Sequence, residues 1–147
     1  MKHLLAVTML LTACIATPEN DPAPMDTAMI AVSSGGFHGQ SGTQIFGDDR
    51  VVTTGFHDGR ATQSTQRTIP GAYARAAAVI RTEGHRVMAQ VKIMTQVKPE
   101  APICMDYGQD IVQAQPPVAG FDAASVGCPN PAVTTLIADI LATLAPP

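Results

Sequence analysis

Met1-Lys2-His3 leads into Leu4-Leu5-Ala6-Val7-Thr8-Met9-Leu10-Leu11, and this apolar run limits how much of the chain is left to fold. A helix needs about 20 apolar residues to cross a bilayer, so the run is too short to span one. A basic start followed by an apolar core of this length has the proportions of a secretory signal. Part of the 46% hydrophobic content therefore sits in a removable segment, and the domain behind it has a smaller apolar reserve than the bulk figure implies.

The following residues, Leu11-Thr12-Ala13-Cys14, resemble the lipobox of bacterial lipoproteins and sit where that family carries it. The resemblance implies cleavage between Ala13 and Cys14, a diacylglycerol on the Cys14 thiol, and an acyl chain such as palmitate on the new amine. Cys14 is then a lipidation site. Two or three acyl chains hold a protein firmly where one holds it marginally, so the membrane becomes a partner without any transmembrane helix. The resemblance also implies a place in the bacterial cell envelope. Ile15 rather than an Asp after the lipidated Cys points to the outer membrane, facing the periplasm. Residues 1–13 are accordingly read as signal peptide, 14–28 as lipidated tether and 29–147 as a single globular domain. The tether holds three Pro and three acidic residues, a composition that favours a semi-rigid, extended spacer.

With Cys14 given to lipid, Cys104 and Cys128 remain in an oxidising compartment, and a disulfide between them is expected. It would close a loop whose entropy corresponds to roughly 3–4 kcal/mol of stabilisation. No Cys-x-x-Cys spacing points to redox chemistry, and two sulfurs without a nearby His pair make no zinc site. The net charge of -3 becomes -4 once Lys2 is removed. Nucleic acid is excluded as a partner, because phosphate binding needs a basic surface and Asp+Glu outnumber Lys+Arg 12 to 9.

The fold class read from the domain is α+β: a small antiparallel sheet packed with two helices, one at the C-terminus. Met29–Ser33 reads as a strand entering Ser34-Gly35-Gly36-Phe37-His38-Gly39. Thr43–Phe46 and Arg50–Thr54 flank the turn composition Gly47-Asp48-Asp49 and should pair as a hairpin. Ala61–Thr68 is a further, more polar strand suited to an edge. A helix follows, with Pro70 in its first turn, Tyr73, Ala76, Ala77 and Ile80 on one stripe, and Gly84 at its end. From Val87 to Val97 apolar and polar residues alternate, which is read as a strand, while Val87, Val91 and Met94 leave a helix as the alternative. A short strand at Asp110–Gln113 precedes Pro116-Pro117. The clearest element is last: Asn130 as N-cap, Pro131 in the first turn, then Val133, Leu136, Ile137, Ile140, Leu141 and Leu144 on one face.

No catalytic constellation stands out. With the hairpin turning at Asp48-Asp49, Phe46 stands opposite Val51, Gln40 opposite His57, and His38 lies diagonally on the same face. Two imidazoles near Asp58 would be too few ligands for a metal without others, and exposed loop histidines are the simpler reading. Asp106 and Asp110 flank Tyr107-Gly108-Gln109, which lacks the oxygen density of a calcium loop and reads as a turn. Ser33, Ser34, His38, His57 and His85 nominally supply a hydrolytic set, but no nucleophile-elbow spacing joins them. No cofactor is implied, and no enzyme activity is expected.

Ser34-Gly35-Gly36-Phe37-His38-Gly39 also lacks the Lys-Ser/Thr ending of a phosphate loop. It resembles the Ser-Gly-Gly-Phe-x-Gly opening of emfourin-like proteins, small inhibitors of thermolysin-like metallopeptidases. Their order of hairpin, helix, later strands and closing helix is similar to the layout above. The resemblance implies a binding loop at Ser34, Gly35, Gly36, Phe37, His38 and Gly39. Two function classes follow: a non-enzymatic envelope lipoprotein that binds a periplasmic protein, and an inhibitor of a thermolysin-like metallopeptidase.

Overall fold

The computed structural model describes residues 27–36, 39–58, 60–97, 104 and 108–145, without the side chains of 93–97. Cys14, the signal peptide and most of the tether lie outside these residues. Eight elements follow one another: β1 (Met29–Gly36), β2 (Gly39–Phe46), β3 (Arg50–His57), β4 (Arg60–Thr68), α1 (Ala72–Val97), β5 (Asp110–Val118), β6 (Phe121–Val126) and α2 (Pro131–Ala142). The strands form one six-stranded sheet in the order β4-β3-β2-β1-β5-β6. Every neighbouring pair is antiparallel. The α+β class with a closing helix is thus what the chain adopts.

Both helices lie on one face of the sheet, where Ile30, Val32, Ile45, Val51, Val112, Ala114 and Ala124 join Ile80, Val87, Leu136 and Ile140 in one buried cluster. Side chains alternate across a strand, so the register decides what reaches that cluster. The β2–β3 hairpin closes through Gly47, Asp48 and Asp49, with the Asp49 amide donating to the Phe46 carbonyl at 2.9 Å. Asp49 takes the left-handed conformation, φ 65°. A three-residue loop of this kind pairs Ile45 with Val51 and Gln40 with Phe56. The expected pairs, Phe46 with Val51 and Gln40 with His57, are therefore displaced by one residue. The displacement has a physical cause, since a one-residue slip would turn either Ile45 or Val51 away from the core.

Asp49 does more than turn the chain. No acidic residue occupies the first turn of α1, yet its free amides are satisfied from the hairpin. The Asp49 carboxylate accepts from the Gly71 N–H at 2.6 Å and from the Tyr73 N–H at 3.1 Å. Such a contact caps the helix and complements its dipole, an effect of about 1 kcal/mol.

The helix does not stop at Gly84. Ala72, Ala76, Ile80, Gly84 and Val87 are all buried, one stripe at helical spacing that carries through the glycine. A Cβ on Gly84 would lie 3.0 Å from Cδ2 of Phe121, so the glycine makes room for that ring. The strand reading of 87–97 is overturned: this stretch is the second half of α1. Its alternation of apolar and polar residues is overridden by packing, because Val87 is buried and Met88 and Val91 lie against the same cluster.

β5 outruns its expected end at Gln113 and continues to Val118. Pro116 and Pro117 fit because they fall beyond the β1 pairing, which ends at Gln115, and within the irregular stretch of the β6 pairing between Gln113 and Val118. No ladder bond is asked of their missing N–H groups. β6 then returns along β5 through a turn at Ala119-Gly120.

The C-terminal helix begins as its residues indicate. Asn130 is buried, and its Oδ1 accepts from the Ala132 and Val133 amides at 3.0 and 3.3 Å. Val133, Leu136, Ile137, Ile140 and Leu144 face the core, while Leu141 is 39% exposed. Cys104 and Cys128 form a disulfide with Cα atoms 5.3 Å apart, just ahead of this cap.

Candidate functional site

Glycines build one end of the sheet. The β1–β2 ladder closes at the pair Gly36–Gly39, and Phe37 and His38 of the expected binding loop lie outside the described residues. Gly35 has φ 139°, and a Cβ there would strike the Gly39 carbonyl and approach Gln40 Cα to 2.7 Å. Gly108, with φ 33°, meets the Gly35 carbonyl so closely that a Cβ would have no room. Three backbone segments thus meet where only glycine permits it. Gln40 ties them further, its Nε2 donating to Ser33 Oγ at 2.8 Å and to the Gln109 carbonyl at 3.4 Å. Glycine is conformationally demanded at Gly35, within the glycine-rich stretch that the sequence marks. Gly108 carries the other half of the contact, and nothing local marks it.

From this end a groove of about 310 Å³ runs along the sheet face opposite the helices. Ala31, Ser33 and Gly42 form its floor, with Phe56 and Ile111 at its sides and Gln44 and Gln113 beside it. Gly42 leaves the gap, and the Phe56 ring leans toward it, with Cε2 3.6 Å from where a Cβ would stand. Phe46 shares this face and carries the Arg50 guanidinium 4.0 Å above its ring centroid. Among the described residues, the ones lining the groove include no ionisable side chain. These residues offer apolar surface, an aromatic ring and neutral hydrogen-bonding groups.

Among the described residues, the remaining candidates are not brought together. Ser33 is engaged by Gln40. His57 lies 3.6 Å from the Asp58 carboxylate at the β3–β4 turn, both side chains largely exposed. His85 lies on α1 beside Gly120 of the β5–β6 turn. Asp110 opens β5, where the sequence also starts a strand, and is buried, with its Oδ2 accepting from the Thr134 hydroxyl at 3.1 Å. That bond ties β5 to the first turn of α2, a role visible only once the helix and strand are packed together. Asp106 lies outside the described residues. Among the described residues, no three His, Cys, Asp or Glu side chains cluster as metal ligands. No helix among them is long and apolar enough to cross a membrane.

No known protein family, curated protein or solved structure matches the chain.

Proposed function

We propose that the protein is a non-enzymatic, membrane-anchored envelope lipoprotein whose domain binds a periplasmic protein through the sheet face opposite its helices. The observation that carries this reading is the placement of aromatic residues. The chain has only four Phe, and two of them, Phe46 and Phe56, stand half-buried on that face instead of in the core. Aromatic side chains with few charges among them are the composition of interface centres. The anchor rests on the Leu11-Thr12-Ala13-Cys14 sequence.

A photo-crosslinking amino acid placed at Gln44, beside the groove, tests the reading in the full chain within its native envelope. A discrete protein adduct is expected from Gln44, none from Ala78 on the exposed side of α1, and loss of the Gln44 adduct in Phe56→Ala. Equal labelling from both positions, or none from Gln44, contradicts it. The second reading, an inhibitor of a thermolysin-like metallopeptidase, is favoured by the close backbone approach at Gly35, near the end of the same groove. An adduct containing such a peptidase would select it.

A further inference from the structure

The strand β4 is exposed along its whole length, from Arg60 to Thr68, on both faces. The helices pack over β1, β2, β5 and β6, and β4 stands outside them at the sheet edge. A long, unprotected edge is a template for another strand, and the backbone shows which strand fits.

The Ile69 amide donates to the Asp49 carbonyl at 3.0 Å. In an antiparallel ladder the bonded pairs alternate, so Val51–Arg67, Thr53–Thr65 and Gly55–Gln63 are the pairs that exchange hydrogen bonds. The N–H and C=O groups of Ser64, Gln66 and Thr68 therefore point away from β3, toward solvent. This regular edge is bounded by the register shift after Gly55–Gln63 on one side and by Pro70 on the other. It contains no Pro and no acidic residue, and Arg67 is its one charge.

We propose that two copies of the chain pair antiparallel through β4, with the two-fold axis at Thr65. Ser64 of each copy then faces Gln66 of the other, so that the outward N–H and C=O groups meet in about four backbone hydrogen bonds. Thr65 faces its own counterpart. Gln63 stands opposite Arg67, an amide oxygen facing a guanidinium, and the symmetry makes this pair twice. The register centred one residue later also matches the backbone groups, but it sets the two Arg67 side chains on neighbouring diagonal positions, about 7–8 Å apart. The Thr65 register separates them and gives each a partner. The result is one continuous sheet of two six-stranded halves, held weakly because an edge buries little area.

Thr65 and its counterpart form a non-hydrogen-bonded pair, with Cα atoms about 4.5 Å apart, inside the range a disulfide spans. The full chain purified in detergent, run without reductant, should gain a covalent dimer in Thr65→Cys beyond that of the unmodified chain, and none in Gln66→Cys. Sedimentation of the unmodified chain should show a concentration-dependent monomer–dimer equilibrium that is lost in Gln66→Pro. That variant removes the outward N–H together with the Gln66 side chain, while the β3 ladder bonds belong to other residues. A monomer at every concentration overturns the proposal, as does a dimer that survives Gln66→Pro or crosslinks equally at both cysteine positions.

Discussion

Replacing Phe121 with Ala is expected to cost the fold about 3–5 kcal/mol, the largest loss expected of any single side chain among the described residues. Among the described residues, Phe121 is the largest fully buried side chain, 1% exposed. It opens β6 and fits its ring against α1 at Gly84, the one residue in that stripe without a side chain. Two elements distant in sequence thus share one close contact, and truncation would leave a cavity that neither a helix backbone nor an edge strand can collapse to fill. Urea denaturation should show a lower midpoint with an unchanged slope. The total stability of a domain is about 5–15 kcal/mol, so the variant would sit near the limit of folding. A loss below about 1 kcal/mol would mean that Gly84 and Phe121 do not form the joint described.

Removal of the Cys104–Cys128 bond should be the second large effect. The two residues are 24 apart in sequence, and the chain-entropy relation gives about 3.5 kcal/mol for a loop of this size. Location adds to the consequence. Cys128 precedes the Asn130 cap, and Asp110, which receives the Thr134 hydroxyl, opens the strand that follows Cys104. The bond therefore closes a loop that holds β5 and β6 and ends just before α2, whose Leu136 and Ile140 are central to the core. In the double variant Cys104→Ala/Cys128→Ala, the denaturation midpoint should fall by the corresponding amount, and reductant should have no further effect. Equal stability of reduced and oxidised protein would contradict this account.

Elements whose reasons are local were legible in the sequence. Asn130-Pro131 announced α2, the β-branched runs around Gly47-Asp48-Asp49 announced a hairpin, and the polar run to Thr68 announced an edge strand. What was hidden depends on contacts between distant residues. Asp49 reads as a turn residue, and its capping of α1 exists only when the hairpin and helix meet. Gly84 reads as a helix stop because its partner, Phe121, lies far along the chain. The β2–β3 register turned on one residue of loop length, which composition does not specify. The same division holds for the candidate site: the glycines at Ser34-Gly35-Gly36 were visible, but the groove at their side required β5 to be placed next to β1.

Docking through the open sheet face matters to a cell envelope only if the domain is held there, so the anchor is the claim on which the functional account turns. Incorporation of a labelled fatty acid into the full chain, expressed in a bacterium that processes lipoproteins, tests it most directly. The account predicts label on the wild-type protein, with the mature chain starting at Cys14, and no label on Cys14→Ala. Label that persists in Cys14→Ala, or a wild-type protein that takes up none, would contradict it.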